Sequence, residues 1–523
     1  MKQWLKRLLA AGLAVMLLVA LAACGGKEGD DKDGDVINAV EYGVDNTGKT
    51  DMTDKIVQMH KDGAKQNKKI YYPNGTYIFN GLTLDFTSGV EFESMDGVTI
   101  RNSKVDTNII NFDDKGNLIG LMHNHLEHVH GRDDFKISGN LVSPPLADIS
   151  YETTVDAVPY WYNDFGRETT LAYAAGWLGW YDWRWNHHDA GSLLCQDCLI
   201  LNETGAQKCA QCGKELHDPY APELHPLLGW YRGDDPVVLD WICYWMMEYG
   251  MKQSILINSG WRGDEAKDPA NGAYWVYQLL NNTPNAKQMK FALQPAALFY
   301  DSNETELRSS WWNLFDTFYF NEDYKDMVYC YEEDGKRYAV LNLWDEQSVR
   351  MSLAGNNDAL IQMYKDAAED FRGRGYDGIF VTARFAVFAG SGQAAVRAEL
   401  REAGVLYYES AYPHNTLHNG STYPEKVQSF YEFNTDYKLY GVATAIHTHD
   451  PHPSQWVCPG HSPEQFQLLM SKTVAALTNQ TAIPKIVTIY NVSEWAEGGP
   501  GLIPTVGERF GYLEAVRDTV VKK

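Results

Sequence analysis

Beyond residue 23 this 523-residue sequence has no apolar run approaching the roughly eighteen residues that cross a bilayer, so no further membrane span is expected. Positive charge is also short: 45 Lys and Arg stand against 69 Asp and Glu, a formal net charge of −24. Nucleic acid and anionic membrane surfaces both demand clustered basic residues, so neither is an expected ligand. No glycine-rich phosphate loop follows any strand-like run, which speaks against a doubly wound nucleotide-binding sheet, the alternative parallel architecture. Cysteine is sparse too; Cys243, Cys330 and Cys458 read as buried small hydrophobes, and the others carry specific roles below. What the chain does have is aromatic residues, 16 Trp and 32 Tyr. Most such rings belong to cores, but sugar rings present apolar faces flanked by hydroxyls, and a cleft of aromatic platforms with carboxylates suits them.

Lys2, Lys6 and Arg7 precede an apolar run over 8–23, the basic and apolar regions of a secretory signal. The run ends Leu21-Ala22-Ala23-Cys24-Gly25, and small residues before a cysteine resemble the lipobox of bacterial lipoproteins. That resemblance implies removal of residues 1–23, a lipid on Cys24, a polar tether over 24–35 and attachment to the bacterial membrane at the cell surface. The lipid is then the only membrane contact. An ordinary signal peptide with a chance cysteine is the competing reading.

Residues 36–148 are polar, punctuated by Gly, Asn and Asp, and built of short alternating runs that read as strands and turns. The stretch Tyr42-Gly43-Val44-Asp45-Asn46-Thr47-Gly48-Lys49-Thr50-Asp51, a helix to about Ala64 and then Tyr72-Pro73-Asn74-Gly75-Thr76-Tyr77 resemble the opening of pectate-lyase-type β-helix proteins. Too few rungs follow for a full β-helix, so a small truncated all-β module without catalytic machinery is expected. Near its end His123, His125, His128 and His130 alternate between strand faces, which suits a solvated strand better than one metal site.

From 150 to 523 apolar strand-like runs alternate with longer helical patterns, the signature of βα units. Eight strands are expected, at 155–162, 253–258, 290–294, 338–344, 378–382, 404–408, 441–446 and 485–490, which suits a (β/α)₈ barrel with insertions. One insertion, at about 190–218, holds Cys195-Gln196-Asp197-Cys198 and then Cys209-Ala210-Gln211-Cys212-Gly213. Two such pairs supply four thiolates that can converge on a structural zinc as in a zinc ribbon; two disulfides are the alternative. Neither outcome leaves an open position for catalysis, and no catalytic cofactor is expected.

The last strand runs straight into Ser493-Glu494-Trp495-Ala496-Glu497-Gly498. In a barrel the residues after a strand's C-terminal end open into the mouth, and glycoside cleavage needs one carboxyl to protonate the leaving oxygen and another to assist attack at the anomeric carbon. Two acids at the start of a solvated helix would look the same. This motif, followed by Leu502-Ile503-Pro504 and Tyr512-Leu513-Glu514-Ala515, resembles the C-terminal signature of glycoside hydrolase family 99-like barrels, the endo-α-mannosidases and related WbsX-type proteins. So do His225 to Tyr231, Asp234 to Asp240, Glu248-Tyr249-Gly250 and Asp334-Gly335-Lys336-Arg337.

The resemblance implies a retaining glycosidase with Glu497 as general acid/base and Glu494 as the base that deprotonates the sugar 2-hydroxyl. Two departures bear on specificity: Ser493 stands where Asn is usual, and Gln294 where Glu is common. Candidate sugar contacts at the strand ends are Tyr160, Tyr162, Asn258, Trp261, Trp344, Asp345, Arg384, Glu409, His447, His449 and Asp450, joined by Trp230, Tyr231 and Trp495. The expected function is a surface-anchored hydrolase of a poly- or oligosaccharide. A non-catalytic glycan-binding surface lipoprotein is the alternative.

Overall fold

The computed structural model describes residues 36–79, 82–86, 89–94, 100–102, 108–112, 118–120, 135–138, 143–162, 208–215, 226–228, 233–257, 267–268, 274–294, 303–410, 438–444, 460–481, 483–493, 501–505 and 507–522. In the N-terminal part Val36–Asn38 pairs parallel with Lys69–Tyr72, and Thr47–Asp51 parallel with Gly75–Phe79. Both parallel pairs span the helix Thr53–Gln66, a crossover long enough to bring the chain back in the same direction. The later strands pair antiparallel, giving sheets of six and four strands. Tyr72, Tyr77, Phe86 and Phe92 pack ring against ring over Ile56 and Met59.

The larger part is built on eight parallel strands: β1 (Asp156–Tyr162), β2 (Gln253–Ile257), β3 (Lys290–Leu293), β4 (Lys336–Leu343), β5 (Gly378–Ala383), β6 (Val405–Glu409), β7 (Tyr440–Ala443) and β8 (Ile486–Tyr490). Their hydrogen-bonded order is β6-β5-β4-β3-β2-β1-β8-β7. The two ends of that path meet: Glu409 and Lys438 form a parallel bridge, and the Leu439 N–H donates to the Glu409 carbonyl at 2.9 Å. The sheet is therefore a (β/α)₈ barrel, with all eight strands where the apolar runs put them. Strands covered on both faces are mostly apolar, which is why they are legible as runs.

Eight helices accompany them among the described residues: α1 (Pro236–Glu248), α2 (Tyr274–Asn282), α3 (Glu304–Leu314), α4 (Glu346–Ser352), α5 (Asn357–Gly373), α6 (Ala394–Glu402), α7 (Pro463–Thr478) and α8 (Gly511–Val520). Their starts are written locally. Side chains of Asp235, Asn303, Asp345, Asn356 and Ser462 accept first-turn N–H groups, and Pro236 and Pro463 follow two of these caps. Helix α1 is apolar on nearly every side and buried along most of its length.

The barrel has one thin seam. Strands β3 and β4 share the single register pair Leu293 and Leu341. Tyr319 fills the gap: its hydroxyl accepts from the Leu293 N–H at 2.9 Å and donates to the Val340 carbonyl at 2.8 Å. Below it a short strand, Cys330–Glu333, runs antiparallel to β4 through the two-residue turn Asp334-Gly335. Both turn residues have positive φ, 51° and 74°, as a hairpin turn matched to strand twist requires.

Candidate functional site

Alternation along each strand decides which side chains reach the barrel axis. Tyr160 on β1 lies in register with Ile255 and Tyr490, and Asn342 on β4 with Thr382 on β5. Their hydroxyls and amide meet those of Ser410, just past β6. Tyr160 Oη and Ser410 Oγ are 2.8 Å apart, and Thr382 Oγ1 and Ser410 Oγ 3.1 Å. Asn342 Nδ2 donates to Thr382 Oγ1 at 3.2 Å and to Tyr160 Oη at 3.4 Å. Groups from β1 and from β4 to β6 can touch only inside the barrel, so these four form a polar floor beneath its C-terminal opening. All are buried. Burial pushes the Tyr160 phenol up, opposed by its bonds to Ser410, Asn342 and Thr382, and keeps it a protonated donor. Tyr160 is thus a floor residue with no exposed ring face for sugar stacking, because the strand places it a level too deep.

Two acceptors at this end of the barrel are left over. The amide oxygens of Gln294, after β3, and Asn342 are buried and have no hydrogen-bond partner among the described residues. Such atoms suit a hydroxyl donor from water or ligand.

Trp344 and Arg384 stand two residues beyond Asn342 and Thr382, one level nearer the opening. The Arg384 guanidinium lies 4.8 Å from the Trp344 ring centre and 4.5 Å from that of Phe385. Phe385 is 46% exposed and has φ 53°, so an apolar ring is displayed at the rim. The rim is held from behind by Glu346. Its carboxylate accepts from Tyr364, Tyr407 and the Val387 N–H, and its own N–H donates to the Arg384 carbonyl at 3.1 Å. Burial pushes Glu346 up to about 6 against the lowering effect of the two tyrosines. Asp345, beside it, serves as the α4 cap, which leaves Glu346 as the residue that ties the ends of β4, β5 and β6 together.

Past β8 the chain is locked. Asn491, Val492 and Ser493 are buried; the Val492 N–H donates to the Tyr160 carbonyl at 2.8 Å and the Asn491 N–H to Thr444 Oγ1 at 3.3 Å. The Leu502 N–H returns to the carbonyls of Val492 and Asn491 at 2.8 and 3.1 Å. Gly501, at φ 63°, has no room for a side chain, since a Cβ would sit 2.4 Å from the Val492 carbonyl. The two ends of the acid-bearing segment therefore meet at the C-terminal end of β8, on the side of the polar floor. Glu494, Trp495 and Glu497 themselves lie outside the described residues, as do Trp230, Tyr231, Asn258, Trp261, His447, His449, Asp450, Cys24, Cys195, Cys198 and the four histidines of 123–130.

Glu409 is placed differently from expectation. It shares the face of Tyr407, which bonds Glu346 and packs on Tyr364 of α5, so it points to the helix side of the barrel, where it pairs with Lys438 at 3.0 Å. The odd and even positions of β6 are assigned by Ser410, which occupies the inner face. Tyr162 ends β1 in register with Ile257. Asn342, Thr382, Ser410 and Glu346 were not anticipated; their signal is a polar residue in or just after an otherwise apolar strand.

On the return from Gly501 to α8, Glu508 is pushed up to about 7, first by burial and then by Glu464, and lies 3.7 Å from His461 Nε2. At the opposite end of the barrel a cavity of about 500 Å³ is lined by Asp156, Gln253, Lys290, Tyr329, Arg337 and Lys485. It lies at the N-terminal ends of the strands, the end that in these barrels serves stability.

No family model matches the chain, and no curated protein does. Among solved structures it is similar to a GH99 endo-α-mannosidase from Bacteroides thetaiotaomicron, at 13% identity over 69% of this chain and 95% of that one, with a TM-score of 0.37. A second structure of a GH99 endo-α-mannosidase from Bacteroides thetaiotaomicron gives 12% identity over the same shares and a TM-score of 0.39. A glycoside hydrolase-like protein is 10% identical over 72% of this chain and 96% of that one, with a TM-score of 0.42.

Proposed function

We propose that this chain is a glycoside hydrolase acting on a poly- or oligosaccharide with Glu494 and Glu497, and that it is exported and held at a bacterial surface by a lipid on Cys24. The observation that carries the reading is the anchoring of both ends of the acid segment at the C-terminal end of β8, beside a floor of hydroxyls and spare amide acceptors. A barrel strand that delivers two carboxyls to such an opening supplies the acid and base that cleavage of a glycosidic bond requires. Trp344, Phe385 and Arg384 supply the flat faces and the donor that a sugar needs at the rim.

The finer reading, an α-mannoside cleaved with retention, rests on the motif Glu494-Trp495-Ala496-Glu497-Gly498. Glu497 acts as general acid/base and Glu494 as the base toward the sugar 2-hydroxyl. Gln294, buried after β3 where a glutamate is common in the family, argues for a different hydrogen-bond demand in one subsite. A screen of purified protein against surface polysaccharides with product analysis tests the assignment. Shortened glycans with a new reducing end are the expected result. Saturable glycan binding with no product from any bound polymer would overturn it in favour of a carbohydrate-binding lipoprotein.

A further inference from the structure

At the N-terminal end of the barrel β3 and β4 part to admit another stretch of chain. Phe291 and Val328 form a parallel bridge, the Tyr329 N–H donates to the Phe291 carbonyl at 2.8 Å, and the Val340 N–H donates to the Tyr329 carbonyl at 2.9 Å. Tyr329 thus stands where β3 and β4 would otherwise pair. An eight-stranded barrel is just wide enough for side chains to fill it, and more chain in its wall makes room inside. The result is the cavity of about 500 Å³, which an end built for packing alone would fill.

The lining is charged and mixed. Lys290, Arg337 and Lys485 bring three cations and Asp156 and Glu332 two carboxylates, so this wall is net positive in a chain of formal charge −24. Among the described residues none of the three cations has an ion-pair partner. Lys290 donates to the Asp326 carbonyl, Lys485 to the carbonyls of Leu477 and Gln480, and Arg337 Nη2 approaches the Cys330 sulfur at 3.6 Å.

Asp156 is half-buried where Lys290 and Arg337 are exposed. Its oxygens accept from the Tyr329 hydroxyl at 3.2 Å and from Gln253 Nε2 at 3.4 Å, long bonds that leave the carboxylate acceptor capacity to spare. Burial pushes the Asp156 carboxyl up, against the lowering effect of those two bonds, so the group favours a ligand that brings hydroxyl donors over one that brings only negative charge. Tyr331 adds an aromatic ring to the same wall.

We propose that this cavity binds a sugar acid, with the ligand carboxylate on Arg337 and the two lysines and its hydroxyls on Asp156 and Gln253. A guanidinium fork matches a carboxylate with two parallel hydrogen bonds. A neutral sugar leaves the cations uncompensated, and an inorganic dianion sets its charge against Asp156 and Glu332 and offers Tyr331 no ring. The site is separate from the opening where hydrolysis is proposed and does not rest on that reading.

The experiment is calorimetric titration of the full chain with D-glucuronate and D-galacturonate, beside D-glucose and inorganic phosphate. At least one of the two sugar acids is expected to bind saturably at one per chain, about tenfold or more tighter than glucose or phosphate. Arg337→Gln is expected to weaken that binding about tenfold, whereas Trp344→Ala, at the other end of the barrel, leaves it unchanged. In the wild type the same sugar acid is expected to slow modification of Arg337 by phenylglyoxal, read by peptide mass, a measurement that depends on no variant folding. Failure of both sugar acids to bind, equal binding of glucose or phosphate, or sugar-acid binding that neither protects Arg337 nor weakens in Arg337→Gln would overturn the site.

Discussion

At the scale of single residues, the polar floor and the buried Glu346 hold the opening in shape. Glu346 is a carboxyl inside the protein with a pKa of about 6, above its ordinary value of 4.5. A raised carboxyl binds its proton more tightly in the folded state, so its contribution is full below the unfolded value and is lost as pH rises through about 6. The shift corresponds to on the order of 2 kcal/mol. Between pH 4.5 and 6.5 the wild type is expected to lose that much more stability than Glu346→Gln, read as denaturation midpoints; parallel pH profiles would contradict this assignment. Trp344 is the rim aromatic stacked on Arg384. Trp344→Ala is expected to raise KM about tenfold with little change in kcat, because the ring meets ground state and transition state alike. A fall in kcat at constant KM would place the ring in the chemistry instead. Of the floor only Tyr160 was named in advance, as a sugar contact: Asn342, Thr382 and Ser410 are single polar residues in or just after separate apolar runs, and only closure of the sheet makes them neighbours.

At the scale of elements, sequence and structure agree best where burial on both faces leaves a simple pattern. All eight strands could be read because each is a run of apolar residues between turns; the helix starts capped by Asp235, Asn356 and Ser462 were not named in advance. The strand Cys330–Glu333 was missed. Its residues Cys-Tyr-Glu-Glu carry no apolar run, and Asp334-Gly335 declared itself a hairpin turn only through its two positive φ angles. Tyr319 was missed for the same reason, since a tyrosine in a helical stretch gives no hint that it will bridge two strands. Tyr319→Phe removes the group that satisfies the Leu293 N–H and the Val340 carbonyl at the β3–β4 seam. A loss of about 1–3 kcal/mol is expected in chemical denaturation. An unchanged midpoint would mean that the seam is held by something other than the phenol.

At the scale of the whole molecule, closure of the barrel decides which strand residues face its opening. The path of strands closes at Glu409 and Lys438, which pair on the helix side of the barrel, and the chain on either side of the acid-bearing segment is anchored at the C-terminal end of β8. Where a candidate residue belongs to a strand, its level and face follow from register; Trp230 and His449 lie outside the described residues. The measurement that tests the account most directly is glycan hydrolysis by Glu494→Gln and Glu497→Gln beside the wild type, on the polysaccharide that the wild type degrades. Each variant is expected to lose kcat by at least about a hundredfold while still binding the polymer. Cleavage at the wild-type rate by both variants would contradict it.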